Sequence, residues 1–360
     1  MEIIDDDLEG LLASQLRSHG AESAQPSTGD MPETRASAET AKWFSKLFGW
    51  RPKLGLPATD TSIFGSIQSW PEPARERIPN PPVVWHWPRR ETELLVFALL
   101  SNTRTSLIWG PTGTGKSALV RSVCAMLKVP LWQVSCHQSM EAADLLGSET
   151  VKLDESAKHL VLRHELAVAG LAAKYGGVLL LDEMFRSPVL LALQSLLENG
   201  GSLYVPNASA SPEDRIVTPP TGRFWIVGTD NTNGVGDDAG HYQAIVQDLS
   251  TLDRIECSIQ LDYPSPDNEL LLLRKVNETL SDSAVRTILS VANEVRKTHQ
   301  IGKMSATMSL RATCAIAERA SVLGLDTAFY VTFAAKLNKT DRSTFREIWK
   351  QKVGRESMAW

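Results

Sequence analysis

Continuous apolar runs alternate with amphipathic helical segments over residues 83–264. The run 178–181 shows no alternation of apolar and polar positions, which is typical of a strand buried on both faces of a sheet. Further strands are predicted at 107–109, 129–136 and 223–230, and after Arg254. Because helical segments separate these strands, the pattern predicts an α/β fold in which helices flank a parallel sheet.

Helices are predicted where apolar positions recur three and four residues apart. One begins after Pro88 and turns four apolar side chains inward, those of Leu94, Leu95, Phe97 and Leu99. Another follows an N-cap at Ser139, because a serine hydroxyl can accept a hydrogen bond from the first helical turn. A third, amphipathic helix is predicted at 187–200 and ends at a glycine.

Two β-hairpins and a helical region complete the predicted elements. One hairpin pairs 151–153 with 160–162, and the other surrounds residues 207–214. From residue 267 to the end of the chain, almost every segment has helical periodicity. These segments predict a small all-helical lid domain after the α/β domain.

The first 82 residues differ in composition from the rest. Residues 1–40 hold nine acidic residues and two arginines, which predicts a largely disordered tail. Residues 41–82 combine an aromatic and basic segment, 41–53, with an extended linker rich in Pro, Gly and Ser. The segment 41–53 fits either a helix docked on the protein's own core or a docking element for a partner. We therefore expect four regions, at 1–40, 41–82, 83–264 and 265–360.

Composition narrows the class of protein. A hydrophobic share of 42% and a charged share of 22% are typical of a soluble protein. No apolar run is long enough for a membrane span, and the N-terminus lacks the pattern of a secretory signal. The four cysteines are scattered within apolar runs, which favours buried free thiols in a reducing cytoplasm. The net charge of −5 does not indicate a nucleic-acid partner, although a local basic pore remains an option.

A glycine-rich loop lies between the first strand of this domain and a helix. Its letters, GPTGTGKS, match the phosphate-binding pattern G-x-x-x-x-G-K-[ST]. Glycines let the backbone amides turn toward phosphate oxygens, and the helix N-terminus attracts the same anion. Lys116 can reach the outer phosphates, and the Ser117 hydroxyl can bind Mg²⁺. The residues predicted to bind the nucleotide are Gly110, Pro111, Thr112, Gly113, Thr114, Gly115, Lys116 and Ser117.

Two carboxylates follow the apolar strand 178–181, about 65 residues after the loop. The carboxyl end of a parallel strand is where ligands bind in open α/β sheets. Asp182 is therefore a candidate ligand of Mg²⁺, and Glu183 is placed to polarise the water that attacks the γ-phosphate. An Asp-Glu pair alone would indicate a solvated strand end, but its position after the loop favours ATP hydrolysis.

Three further polar residues stand at the ends of predicted elements. Asn231 follows the strand 223–230, where its amide can contact the γ-phosphate or the attacking water. Arg254 ends a helix before the last strand, and Arg311 opens a lid helix. Arg311 fits either a solvated surface charge or a cation turned onto the nucleotide. Asp237 and Asp238, in the polar loop after Asn231, fit either capping residues of that loop or a contact with another subunit.

The order of these motifs resembles that of AAA+ ATPases, and the sequence is similar to their MoxR branch, in particular to cobaltochelatase ATPase subunits. The similarity covers residues 80–350 and includes TDNTNGVGDDAGHYQ and MSLRATCAIAERASVLG. The resemblance implies that Asp182 and Glu183 form the Walker B pair and that Asn231 is sensor 1. It also implies that Arg254 is an arginine finger for the adjacent subunit and that Arg311 is sensor 2. The sequence departs from the usual pattern at Phe185 and Asp230.

The resemblance also implies a hexameric ring and a protein partner with a von Willebrand factor A domain. A remodelling ATPase that acts on such a partner is the first functional hypothesis. The second is the motor subunit of a cobalt or magnesium chelatase, and the third is a nucleic-acid translocase of a restriction or defence system.

Overall fold

The computed structural model describes residues 61–62, 65–66 and 69–357, with gaps at 81–87, 102, 155–158, 207–210, 212 and 237–243. The tail 1–40 and the segment 41–53 lie outside the described residues, and so do Asp237 and Asp238. None of the helices in the described ranges could span a bilayer, because each is too short or too polar.

Five parallel strands form the central sheet, as the apolar runs predicted. After two short strands, Thr61–Ser62 and Gly65–Ser66, the strands in chain order are β1 (Thr105–Trp109), β2 (Leu131–Ser135), β3 (Gly147–Asp154), β4 (His159–Leu166), β5 (Gly177–Asp182), β6 (Leu203–Tyr204), β7 (Ile216–Val217), β8 (Phe224–Asp230) and β9 (Cys257–Gln260). The order across the sheet is β9–β1–β8–β5–β2.

The register brings the carboxyl ends of the strands to one edge. Asp230 in β8 lies opposite Trp109 in β1, and Thr229 lies opposite Asp182 in β5. Asp182 also lies opposite Ser135 in β2. The glycine loop and the two carboxylates therefore emerge at the same edge of the sheet.

Helices cover the sheet and build the C-terminal region. In chain order they are α1 (Glu72–Arg75), α2 (Arg89–Leu100), α3 (Lys116–Leu127), α4 (Ala142–Leu146), α5 (Val168–Tyr175), α6 (Leu249–Asp253), α7 (Pro266–Val276), α8 (Asp282–Gln300), α9 (Leu310–Leu323), α10 (Leu325–Thr332) and α11 (Lys339–Val353). Short 3₁₀ helices lie at Met184–Arg186, Pro188–Leu196, Glu213–Arg215 and Ala334–Lys336. Helix α3 packs on β5 and β8, and α5 packs on β2 and β5.

Three predictions about helices need correction. Helix α4 begins after Glu141 rather than Ser139, because Glu141 and Asp144 exchange the hydrogen bonds of a capping box. The predicted helix 187–200 is a 3₁₀ helix at Pro188–Leu196, with buried leucines at every third position, 190, 193 and 196. That spacing suits the three residues per turn of a 3₁₀ helix. In α2, Leu95 and Leu99 are buried as predicted, but Leu94 and Phe97 are only partly buried.

Both predicted hairpins are present. Strands β3 and β4 pair antiparallel from Gly147 opposite Leu166 to Asp154 opposite His159, which makes this hairpin longer than predicted. Strands β6 and β7 pair over two residues each.

The C-terminal helices have clear local signals. Ser265, Ser281, Ser309 and Asn338 each accept a hydrogen bond from the first turn of the helix that follows. These caps satisfy backbone amides that the helices α7, α8, α9 and α11 cannot pair internally. The helices enclose their own core, in which Phe329 contacts Trp349 edge-to-face and Phe333 contacts Phe345 in the same way.

Residues 69–80 belong to the stretch predicted as an extended linker, but they contain α1 and dock on the sheet. The Trp70 side chain is buried, and the Arg223 guanidinium lies over its ring. The Arg77 carbonyl accepts a hydrogen bond from the amide of Leu131, at the start of β2. This end of the linker is therefore part of the folded core.

Candidate functional site

The glycine loop 110–115 connects β1 to α3 and is enclosed by two other elements. A Cβ on Gly110 would lie 2.2 Å from the carbonyl oxygen of Leu261, just after β9. A Cβ on Gly113, whose φ is 69°, would lie 2.3 Å from the Cβ of Ser309, the N-cap of α9. The Gly113 carbonyl also accepts a hydrogen bond from the amide of Leu310. The loop is therefore held between the sheet and the C-terminal helices, where a larger side chain would not fit.

Lys116 is buried within this loop, with 8% of its surface exposed. Its ammonium group donates to the carbonyl oxygens of Gly110 and Pro111 at 2.8 and 2.9 Å, and to Oδ1 of Asn231 at 2.9 Å. Burial lowers the pKa of Lys116 to about 8, and the carboxylates of three residues oppose that shift, those of Asp230, Asp182 and Glu183. Because its hydrogen-bond partners within the described part of the chain are neutral oxygens, no ion pair there occupies the ammonium group, and it can bind an anion.

The Ser117 hydroxyl and the Asp182 carboxylate meet at the start of α3 and the end of β5. The Ser117 hydroxyl donates to Oδ1 of Asp182 at 2.6 Å. The hydroxyl of Thr229 donates to the same oxygen, and Nε2 of Gln133 lies 3.5 Å from the other one. Sequence reasoning missed Thr229 and Gln133, although each is a polar residue within a mainly apolar strand. Their hydrogen bonds fix the orientation of the Asp182 carboxylate.

Glu183 has an unusual backbone conformation for a residue with a side chain. Its φ is 59°, in the left-handed region, at the turn between β5 and the 3₁₀ helix 184–186. Such conformations cost energy and cluster at functional sites. The carboxylate is 43% exposed and pairs with Arg186 at 2.8 Å. Glu183 therefore lies at the same edge of the sheet as Asp182, directly after β5.

Asn231 lies next to the buried Asp230, at the end of β8. The Asn231 amide oxygen accepts the hydrogen bond from Lys116, so the structure brings this predicted residue to the glycine loop. The Asp230 carboxylate accepts hydrogen bonds from the amides of Phe185 and Thr232.

The structure does not bring Arg254 to the site of its own chain. Arg254 Nε donates to Glu198 at 2.6 Å, and one of its terminal nitrogens donates to the Ser250 carbonyl at 2.6 Å. Arg311, in the first turn of α9, is exposed and has no hydrogen bond or ion pair with any residue that the structure describes. Its orientation therefore does not separate the two interpretations given above.

A cavity of about 310 Å³ opens beside the loop. It lies between the starts of α2, α7 and α9, and its lining includes Pro88, Arg90, Thr114, Tyr263, Asn268 and Leu310. The Tyr263 hydroxyl donates to the Thr112 carbonyl at 2.8 Å, which links the segment before α7 to the loop. Tyr263 had no signal in the sequence pattern, because its partners lie far along the chain.

The chemical groups around the glycine loop suit a nucleotide bound together with magnesium. Magnesium prefers oxygen ligands and usually takes one or two carboxylates together with substrate phosphates, which matches Ser117 and Asp182. The glycine loop, the N-terminus of α3 and Lys116 together form an anion site next to these oxygens. The adjoining cavity has room for the rest of a nucleotide.

Parts of this chain are similar to known proteins. Residues 105–247 match the family model of the AAA domain (dynein-related subfamily). The chain is 28% identical to the aerobic cobaltochelatase subunit CobS of Sinorhizobium sp over 74% of this chain and 80% of that protein. It is 26% identical to the denitrification regulatory protein NirQ of Pseudomonas aeruginosa, over 54% of this chain and 68% of that protein.

Among solved structures, a mutant of Thermotoga maritima RuvB matches over 76% of each chain, with 13% identity and a TM-score of 0.44. The family match covers the glycine loop, both carboxylates and Asn231. Residues 105–247 therefore match the AAA domain of the dynein-related subfamily, and the chain is similar over most of its length to the MoxR-type ATPase CobS.

Proposed function

We propose that the chain couples Mg-dependent ATP hydrolysis in a hexameric ring to the remodelling or activation of a protein partner. Its relation to the MoxR-type ATPases supports a partner that carries a von Willebrand factor A domain. The observation that carries the proposal is the position of Arg254, which is bound to Glu198 and Ser250 rather than to the phosphate site of its own chain.

In this proposal, the loop amides and Lys116 bind the phosphates, and the cavity beside Thr114 and Tyr263 holds the base. Ser117 and Asp182 hold Mg²⁺, whose charge offsets that of the phosphate oxygens. Lys116 exchanges its neutral partners for the phosphates, because a charged acceptor forms the stronger hydrogen bond.

Glu183 acts as the base that orients and polarises the attacking water, and Asn231 contacts that water or the γ-phosphate. The bond between Asn231 and Lys116 supports this role, because it shows that the Asn231 amide reaches the phosphate loop. Arg311 turns onto the nucleotide when the site is filled. Arg254 supplies a positive charge to the nucleotide of the adjacent subunit, where charge develops during phosphoryl transfer.

Mixing two inactive variants tests the ring. Lys116→Ala should bind ATP too weakly to hydrolyse it, and Arg254→Ala should bind ATP without hydrolysing it. In an equal mixture, a site is complete where an Arg254→Ala subunit, which keeps Lys116, is followed by a Lys116→Ala subunit, which keeps Arg254. If subunits join head-to-tail at random, about a quarter of the sites should therefore recover activity. Energy transfer between Lys116→Ala and Arg254→Ala subunits that carry different fluorescent labels is the control for subunit exchange. If exchange occurs without recovery, the role of Arg254 in the adjacent subunit is refuted.

The partner can be identified with an ATP-trapped bait. Glu183→Gln should retain ATP and the partner, whereas Lys116→Ala should retain neither, so proteins enriched by the first bait over the second are candidates. A von Willebrand factor A protein would support the proposal. The similarity to CobS favours a second candidate, the motor subunit of a metal chelatase, and a large tetrapyrrole-binding subunit on the bait would select it.

A further inference from the structure

Asp230 is a buried carboxylate with no part in the proposed hydrolysis itself. It ends β8, precedes Asn231 and is 4% exposed. Its Oδ2 accepts a hydrogen bond from the Phe185 amide at 2.9 Å. Its Oδ1 accepts two more, from the amide and the hydroxyl of Thr232 at 3.0 and 3.1 Å. A buried carboxylate requires such donors, because an unpaired charge in the interior is costly.

The first hydrogen bond fixes the turn that presents Glu183. Phe185 lies two residues after Glu183, whose left-handed backbone persists only if the surrounding structure holds it. The Phe185 ring is fully buried, and its carbonyl accepts a hydrogen bond from Ile245 at 2.7 Å. The Asp230 carboxylate therefore completes a set of contacts that immobilise this turn.

The other hydrogen bonds fix the loop that presents Asn231. Thr232 follows Asn231 directly, and its amide and hydroxyl share one oxygen of Asp230. The Asp230 carbonyl also accepts a hydrogen bond from Gly110, the first residue of the phosphate loop, at 3.3 Å. Asp230 thus touches all three loops of the site, and a small or apolar side chain at this position would retain only the backbone contact.

We propose that Asp230 is a positioning residue that holds the Glu183 turn and the Asn231 loop in register for hydrolysis. This inference rests on the proposed function of Glu183 and Asn231. Because the carboxylate acts through backbone amides next to these residues, its loss should slow hydrolysis while nucleotide binding persists.

Asp230→Asn keeps the shape of the side chain but replaces one acceptor oxygen with a donor. One of the two loops then loses its hydrogen bond and the other keeps only a neutral acceptor, so we expect kcat to fall about 10- to 100-fold. The Kd for ATP should stay within about threefold of wild type, because Lys116 and Ser117 keep their places. Single-turnover hydrolysis is measured per bound nucleotide, so a smaller folded fraction does not lower the rate.

Asp341→Asn is the matched control. Asp341 is also 4% exposed and accepts hydrogen bonds from the backbone amides of Ser305 and Ala306, the Ser305 hydroxyl and the side-chain amide of Asn338, away from the site. Asp341→Asn should lose about as much thermal stability as Asp230→Asn but keep its kcat within about twofold of the wild-type value. Thr232→Val removes a single hydroxyl and serves as a milder second variant, with an expected decrease in kcat of about two- to tenfold.

The outcomes separate this inference from the proposed function. If Glu183→Gln loses hydrolysis but Asp230→Asn and Thr232→Val turn over at the wild-type rate, the role of Asp230 alone is refuted. Equal decreases in kcat for Asp230→Asn and Asp341→Asn would also refute it, because a general loss of rigidity would explain both. If Glu183→Gln hydrolyses ATP normally, the proposed function fails and the inference about Asp230 fails with it.

Discussion

Lys116 in the phosphate loop and Arg296 in α8 are buried to a similar extent, with 8% and 6% of their surfaces exposed, but their partners differ. Arg296 donates to both carboxylate oxygens of Glu269, at 2.6 and 2.8 Å, and to the Met308 carbonyl at 2.8 Å. Its guanidinium also lies 4.1 Å from the centre of the Tyr263 ring. Lys116 donates only to neutral oxygens.

This difference separates a structural cation from a functional one. Arg296 and Glu269 satisfy each other, and such a pair holds helices α7 and α8 in place whether or not a ligand is bound. Lys116 is desolvated without an ion partner, which is favourable only when an anion arrives. We therefore expect changes near the loop to alter binding or chemistry first, and changes at the Arg296 pair to alter stability first.

The largest effect is expected for Glu183→Gln. Loss of a general base lowers turnover about 10²- to 10⁴-fold. Stability should hardly change, because Glu183 is 43% exposed and loses only an exposed ion pair with Arg186. Steady-state hydrolysis and a thermal melt measure both. Glu356→Gln, which breaks another exposed pair, should match wild type, and a similar loss of activity in both variants would contradict the role of Glu183.

Glu269→Gln should have the largest effect on stability. It leaves the Arg296 charge buried without its partner and should destabilise the fold by about 3–5 kcal/mol, measured by chemical denaturation. The folded fraction should still hydrolyse ATP at low temperature. The double variant Glu269→Leu with Arg296→Met removes both charges and should recover most of the loss. If the single variant is as stable as wild type, the pair does not have the structural role assigned to it.

The same contrast explains what the sequence could predict. The loop 110–117 and the strand before Asp182 are local patterns, so both could be placed at the sheet edge from spacing alone. The pair Arg296–Glu269 and the bond between Asp230 and Phe185 join residues far apart in sequence, and no local pattern marks them. The amphipathic pattern at 187–200 predicts a helix but not its 3₁₀ type, because leucines three residues apart fit either period over a short stretch.

The sequence predicted where residues lie along strands and helices better than it predicted their side-chain hydrogen-bond partners. The sequence placed Asn231 at a strand end and Arg254 at a helix end, and both lie there. It could not show that Asn231 meets Lys116 or that Arg254 is bound to Glu198, because side-chain contacts depend on how distant elements pack. The functional roles of these residues stay predictions that the variants described here test.

Lys116→Ala should lower affinity for ATP about 10- to 100-fold or more, because a hydrogen bond to a charged group contributes about 1.5–3 kcal/mol. Stability should not fall by much, since the variant also removes a buried charge without an ion partner. Equilibrium titration with a fluorescent ATP analogue measures the affinity. Lys275→Ala, on the exposed face of α7, is the control and should bind like wild type. Unchanged affinity in Lys116→Ala would refute the assignment of the loop.

The smallest effect is expected at Tyr263, which connects the two regions compared above. Its ring lies against Arg296, and its hydroxyl donates to Thr112 in the phosphate loop. Tyr263→Phe removes only the hydroxyl and should weaken nucleotide binding by about three- to tenfold, because a neutral hydrogen bond contributes about 0.5–1.5 kcal/mol. Stability should fall by no more than about 1 kcal/mol, since the ring still covers Arg296.

Tyr263→Leu also removes the ring and should lower stability further, by about 0.5–2 kcal/mol. Because the ring lines the cavity proposed to hold the base, this variant should also bind ATP more weakly than Tyr263→Phe. This pair of variants decides whether the two regions are independent. If Tyr263→Phe lowers affinity without a change in the melting temperature and Tyr263→Leu changes both, the hydroxyl serves the loop and the ring serves the paired cation. If the two variants lose affinity in proportion to their loss of stability, the helical region and the phosphate loop respond as one unit, and the separation between a structural and a functional cation does not hold.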